Sequence, residues 1–386
     1  MRVIPMSPNR AKPVVYADNA ATTRLSEHAY ESMLPYMQSE YGNPSQPYSF
    51  SRASKRAIRQ AREAVAACIN ANPEEVFFTS GGTEGDNWAI KGFSLRDDVQ
   101  KLLVTSAIEH HAVLNSCNSM AVIGHRINRL PVDSYGVIDA SGIEGVDLGE
   151  NALVSLMYAN NEIGTIQPIQ EICDRVHSHG ACFHTDAVQA VGHVPIDVQK
   201  LGVDMLSASA HKFNGPRGVG FLYIREGTRI CSYASGGSQE MGLRAGTENT
   251  AAIVGLAAAL MESCEHMRAT SERLHGLEAR LISLLDASGL DYRRNGTNQL
   301  PGLMSLSFRN ASGEMLFHRL DLMRIYVSTG SACDGSSTQV SHVLRAIDLN
   351  DEYAQGTIRV SLGRYSTVDD VDRIASGIVK VLTMHS

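Results

Sequence analysis

Between residues 76 and 224, short apolar runs alternate with longer stretches whose apolar positions recur at helical spacing. The runs Val76–Thr79, Lys101–Ser106, Ala152–Met157, Ala181–Thr185, Asp204–Ala208 and Val219–Ile224 predict strands. Several are apolar on consecutive positions, as strands covered on both faces are. Helical spacing predicts helices over Ala53–Ile69 and Ile169–His179, the second ending before Gly180, a natural terminator. This alternation implies an α/β fold with a largely parallel sheet.

The rhythm changes after a long helical stretch, Thr250–Leu285. Beyond it, strands at Met304–Phe308 and Ile358–Ser361 mix with helices at Glu314–Met323 and Val368–Leu382, as in a smaller α+β domain. No internal repeat or low-complexity linker interrupts the chain. The expected division is a large domain over 16–260 and a small one built from 1–15 and 261–386, with the N-terminal segment folding back.

Composition narrows the function classes. With 43% hydrophobic and 19% charged residues, the 386-residue chain can bury a full core. A net charge of −7 and the lack of a long Lys/Arg run argue against direct nucleic-acid or membrane binding. The most apolar stretch, Thr250–Met261, falls well short of the roughly 20 residues a membrane helix needs. Arg2, Arg10 and Lys12 are not followed by an apolar segment, so no secretory signal is expected. Cys68, Cys117, Cys173, Cys182, Cys231, Cys264 and Cys333 form no C-x-x-C pair and are odd in number. That argues against a disulfide framework or structural zinc and suits a reducing, cytoplasmic setting.

Four segments carry chemistry. In Ser207-Ala-Ser209-Ala-His211-Lys212-Phe-Asn-Gly-Pro, a strand ends in a polar turn whose Gly/Pro exit prevents an immediate helix. A lysine at the end of a buried strand can form an imine with an aldehyde cofactor, and desolvation lowers its pKa so that it also serves as a base. In Ser80-Gly-Gly82-Thr83, a strand runs into a helix with backbone N–H groups free to bind phosphate. Neither a nucleotide P-loop nor G-x-G-x-x-G is present, so a small phosphate ester fits better than ATP or NAD. Asp186, in His184-Thr-Asp186-Ala-Val-Gln189, could keep a pyridine nitrogen protonated, or could cap the next helix. His110 could stack on a planar cofactor or belong to an ordinary polar loop. Its neighbour His111 makes the pair a poor metal chelate.

Cys333 stands apart, in Ser328-Thr-Gly-Ser-Ala-Cys333-Asp-Gly-Ser-Ser-Thr338, a stretch of low helix and strand propensity. Its setting predicts an accessible, reactive thiol, although Asp334 would tend to raise its pKa. The other six cysteines lie in helical or strand patterns and read as packed small hydrophobes.

Together these segments resemble the cysteine desulfurases of the NifS/IscS type, within the class V aminotransferases of fold-type I. The resemblance runs from Tyr16-Ala-Asp18-Asn19-Ala-Ala-Thr-Thr23 to Thr357-Ile-Arg359-Val-Ser-Leu-Gly363. It takes in Gly42-Asn-Pro-Ser45, Asn160-Asn161-Glu-Ile-Gly164, Gly236-Gly-Ser-Gln-Glu240 and Arg244-Ala-Gly-Thr247. It implies a large domain with a mainly parallel seven-stranded sheet, a smaller α+β C-terminal domain, and pyridoxal 5'-phosphate as cofactor. Lys212 would carry the cofactor imine, Asp186 would pair with the pyridine nitrogen, Gln189 would reach the ring hydroxyl and His110 would stack on the ring. Gly82, Thr83, Ser209 and His211 would hold the phosphate, joined by Thr247 from the other subunit of a homodimer. Asn161 and Arg359 would bind the substrate carboxylate, which a guanidinium can grip at both oxygens. The chain departs from the family pattern at Gly82, Gln46-Pro-Tyr48, Asp334 and Val340.

The resemblance implies conversion of L-cysteine to L-alanine, with sulfur passing to Cys333 as a persulfide. From there it would pass to an acceptor protein such as an iron–sulfur scaffold. Two rivals share the scaffold: a selenocysteine lyase or other C–S lyase, and a partner-dependent sulfur-transfer protein serving tRNA thiolation. A thiol- or metal-based redox protein fits poorly, for want of C-x-x-C or spaced ligands.

Overall fold

Six of the seven strands of the central sheet coincide, within a residue or two, with the apolar runs. The structure, a computed structural model, describes residues 13–329 and 340–383. The strands are β1 (Val15–Tyr16), β2 (Val76–Thr79), β3 (Leu102–Ser106), β4 (Arg126–Leu130), β5 (Ala152–Met157) and β6 (Cys182–Asp186). They continue with β7 (Met205–Ser209), β8 (Gly220–Ile224), β9 (Tyr292–Asn295), β10 (Leu303–Phe308), β11 (Ile325–Tyr326) and β12 (Thr357–Ser361). The central sheet has the order β2-β8-β7-β6-β5-β3-β4 and is parallel except at β8, which runs antiparallel to both neighbours. β5, β7 and β8 are buried at every position, because helices cover both faces. The seventh strand, β4, is the partly exposed edge. Its Arg-Ile-Asn-Arg-Leu sequence lacks the apolar run that marks its neighbours.

The helices are α1 (Glu27–Gln38), α2 (Arg52–Ile69), α3 (Gly82–Ser94), α4 (His111–Val122), α5 (Ile169–Ser178), α6 (Val198–Leu201) and α7 (Thr250–Ala287). After them come α8 (Gly313–Leu322), α9 (His342–Ala346), α10 (Asp351–Ala354) and α11 (Val368–Thr383). α2 buries Ala57, Ile58, Ala61, Val65 and Ile69 along one stripe and ends on Asn70 in the left-handed conformation. α7 is about 57 Å long at 1.5 Å per residue and serves two cores. Ile253, Leu256 and Leu260 pack into the core beside the large sheet. Leu274, Leu277, Leu281 and Leu285 pack into a second core with β10, β12, α8 and α11. The change of core therefore falls inside one continuous helix. The second unit holds the antiparallel sheet β12-β10-β9, and the N-terminal β1 pairs in parallel with β11 beside it.

Among the described residues no helix is long and apolar enough to cross a membrane. Cys333 and Asp334 lie outside the described residues. Of the other cysteines, Cys117 and Cys173 are buried and Cys68, Cys182 and Cys264 partly so. Cys231 differs from expectation, since it sits in an irregular segment, where its carbonyl accepts a hydrogen bond from Trp88 Nε1 at 3.1 Å.

Candidate active site

The parallel strands deliver their C-terminal ends to one side of the sheet, where α/β folds place ligands. A cleft of about 560 Å³ opens there. It is lined by Gly82 and Thr83 after β2, His110 after β3, Asn161 after β5, Asp186 and Gln189 from β6, and Ser209, His211 and Lys212 from β7. Arg359 of β12 closes it from the smaller unit. Thr247 is exposed and lies outside this cleft. A second, more open cleft of about 720 Å³, beside α5 and α6, contains none of the residues singled out above.

Each side chain is held by identifiable contacts. Lys212 Nζ donates to the carbonyls of Ala20 and Ala21 at 2.6 and 2.9 Å, and Gln189 Nε2 donates to Ala20 O at 2.9 Å. The Ala20–Thr23 segment is strapped over the lysine turn, with Thr23 Oγ1 donating to His211 O at 2.8 Å. His193 Nε2 contacts the Lys212 carbonyl at 2.9 Å. Asp186 Oδ1 accepts from Val188 N at 2.9 Å and so closes a turn rather than capping a helix, since the next helix begins only at Val198; its side chain lines the cleft. His110 caps α4, its Nδ1 accepting from Ala112 N at 3.1 Å, which fixes the ring plane. Burial, the first cause, and Lys212 and His111, lesser ones, push His110 below the usual imidazole range. His211 is pushed down to about 4 by burial, with Lys212 and Arg217 adding to it.

The residues fit a phosphorylated pyridine aldehyde. Gly81 takes φ +149°, and a Cβ at Gly82 would lie 2.3 Å from Val188, so the turn before α3 keeps bare backbone at the cleft. N–H groups at the start of α3, with the hydroxyls of Thr83 and Ser209, make a cradle for a phosphate dianion. A buried carboxyl stands at Asp186 and an amine at Lys212. Arg359 donates to Asn161 O and to Asp18 Oδ1, each at 2.7 Å, while its buried Nε has no partner among the described residues. A guanidinium lining the cleft and held in plane by these two bonds suits a ligand carboxylate.

The sequence singles out neither Asp18, inside the Tyr16–Thr23 motif, nor Asp86, three residues past the Ser80–Thr83 turn. Asp18 pairs with Arg359. Asp86 lines the cleft almost wholly buried, at 1% exposure. A helix-spaced Asp next to Asn87 looks like a solvated first-turn residue, and only tertiary packing reveals otherwise.

Residues 15–374 match the aminotransferase class-V family. The chain is 44% identical over 373 residues, 95% of this chain and 94% of the other, to the cysteine desulfurase IscS of Clostridium botulinum. A solved NifS-like protein superposes with a TM-score of 0.90 at 37% identity, covering 96% of this chain and all (100%) of that one. The structure of SspA in complex with cysteine gives a TM-score of 0.81 at 36% identity, over 91% of this chain and 99% of that one.

Proposed function

The chain belongs to the class-V aminotransferase family, and from that premise we propose that it is a cysteine desulfurase working with pyridoxal 5'-phosphate on Lys212. The observation that carries this reading is one cleft lined together by Lys212, Asp186, His110 and Arg359. Similarity to IscS along nearly the whole chain supports the substrate, L-cysteine, as does the likeness to a protein solved with cysteine.

When bound, the cofactor supplies an electron sink for the electrons of the substrate Cα–H bond. Everything else falls to the chain. Arg359 and Asn161 grip the substrate carboxylate and so fix which bond at Cα faces the lysine. Lys212 Nζ takes the proton from Cα and returns it, with the Ala20 and Ala21 carbonyls holding the ammonium between the two events. Asp186 would hold the proton of the pyridine nitrogen, and His110 would lie against the ring. The Cys333 thiolate attacks the substrate sulfur. One S–S bond forms and the Cβ–S bond breaks, so L-cysteine and the enzyme thiol become L-alanine and an enzyme persulfide. That sulfur passes to an acceptor protein, and iron–sulfur cluster assembly is the use we assign to it.

The working form is a homodimer in which Thr247 completes the partner's phosphate cradle. Thr247 is exposed and anchored nearby by the Arg244–Glu84 ion pair at 2.8 Å. Tyr30, Met37 and Tyr41 are exposed at helical spacing on and after α1, with exposed Tyr48 and Phe50 beside them. Such an apolar face suits burial against a second copy.

The test is to incubate purified protein with L-cysteine and a reductant and to measure alanine and sulfide beside a Cys333→Ala variant. Equal amounts of both products from wild type, and neither from the variant, are expected. Undiminished products from the variant would overturn the role of Cys333 and favour a C–S lyase.

A further inference from the structure

The C-terminal edge of the sheet buries more acid than the proposed chemistry uses. Asp86, in the first turns of α3, is 1% exposed. Its Oδ1 has no hydrogen-bond partner among the described residues and lies 3.8 Å from His184 Nε2. Its carboxyl meets the hydroxyl of Ser207, the residue opposite Asp186 in the β6–β7 ladder. From Ser207 the contacts continue in single file. Ser207 Oγ is 2.9 Å from His184 Nε2, and His184 Nδ1 is 2.8 Å from Ser155 Oγ. All four side chains are buried.

Such a file has two self-consistent directions. If Asp86 carries a proton, it donates to Ser207, Ser207 donates to His184 Nε2, and His184 keeps its own proton on Nδ1 and donates it to Ser155. If Asp86 is ionised, every bond reverses and His184 is protonated on Nε2. Burial pushes His184 down to about 3, so the ring is neutral in both cases and its tautomer reports the direction.

We propose that Asp86 is a positioning residue that stays protonated at the head of the file Asp86–Ser207–His184–Ser155, leaving Asp186 as the charged carboxylate that faces the cofactor nitrogen. The proposal rests on the reading of Asp186 given above. Its ground is the asymmetry of the two surroundings. Asp86 is fully buried, faces two other acids, Asp186 and Glu109, and has no cation beside it among the described residues. Burial raises the Asp186 carboxyl as well, but there His110, the backbone N–H of Val188 and Lys212 each act against that rise and favour the charged form. Two carboxylates in one buried volume cannot both ionise, and the proton settles on the one without a cation.

The first measurement is ¹⁵N NMR of the histidine-labelled holoenzyme, with His184 assigned from its absence in His184→Gln. An Nδ1-protonated ring is expected in wild type and in Asp86→Asn, whose amide N–H replaces the acid O–H. An Nε2-protonated ring in wild type would overturn the proposal. The second is kinetic, with the pH titration of the lysine–cofactor absorbance beside it. Asp86→Asn is expected to keep kcat/KM within about threefold and the absorbance titration unmoved, whereas Asp86→Ala lowers kcat/KM on the order of tenfold by leaving buried groups unmade. If Asp86→Asn is as damaging as Asp186→Asn, a charge is needed at position 86 and the proposal fails. A wild-type protein lacking the chromophore would instead defeat the reading of Asp186, while the His184 tautomer would still decide the state of Asp86.

Discussion

Arg359 NH2 donates to Asp18 Oδ1 at 2.7 Å, joining two segments 341 residues apart in sequence. Asp18 follows β1, bridges to Ser361 in parallel, and so docks the N-terminal strand against the strand that carries the arginine. With Asn161 O on its other nitrogen, the guanidinium is fixed in plane before substrate arrives. Asp18→Ala should therefore let Arg359 swing and lower kcat/KM for L-cysteine by about 10²-fold, the scale of a 1 Å misplacement. Steady-state kinetics with saturating reductant decide it. A loss below threefold, mainly in kcat, would mean that Asn161 and packing position the arginine unaided.

Lys212→Ala should form no lysine-linked chromophore and lose turnover by 10²–10⁴-fold or more, the usual range for one proton-transfer group. Added methylamine can restore some proton transfer but cannot restore the link to the chain. An absorbance band for a lysine-bound cofactor persisting in the variant would move the attachment point to another residue.

Arg62 and Glu240 form a two-bond ion pair, 2.8 Å at each contact, with Glu240 only 2% exposed. Glu240 Oε2 also accepts from Phe78 N at 2.9 Å. Glu240 and Met241 both hold positive φ, 44° and 56°, a strained turn that this network keeps in place. Glu240→Ala removes the carboxylate shared by the half-buried Arg62 guanidinium and the buried Phe78 N–H, and should destabilise the fold by about 1–3 kcal/mol. The readout is a lower midpoint in thermal unfolding, largely recovered in the double variant Arg62→Met, Glu240→Met. If the double variant is no better than the single one, the carboxylate acts through Phe78 and the turn rather than through Arg62.

Much of this was legible in the chain because buried parallel strands write themselves as continuous apolar runs. β5 and β7 could be read on that basis. β4 could not, since an edge strand with Arg126 and Arg129 pointing outward carries no such run. The cleft residues after β2, β6 and β7 were readable because each sits where a strand ends in Gly, Asp or Lys. Asp18 and Asp86 were not, because their meaning depends on partners brought in by tertiary packing. A carboxylate paired with Arg359 and a carboxyl buried against Ser207 look, in sequence, like ordinary polar residues.

Glu109 gives a pH signature that does not depend on the cofactor reading. It is fully buried, and its Oε1 accepts from Ser106 Oγ at 2.6 Å and from Met157 N at 3.1 Å. Its Oε2 has no partner among the described residues. Burial pushes the carboxyl from an ordinary 4.5 up to about 8. Between those two values the folded protein keeps a proton that the unfolded chain has released. Stability from this group is thus full below pH 4.5, falls as pH rises, and levels off above about 8. Glu109→Gln cannot ionise and keeps the carbonyl that Ser106 and Met157 use. The variant should match wild type in thermal midpoint near the acid end of that window and exceed it increasingly toward the alkaline end. Calorimetric scans of both proteins across the window test this. A difference that stays constant with pH would show that Glu109 is already ionised in the folded protein, with a proton or a water satisfying Oε2 from elsewhere.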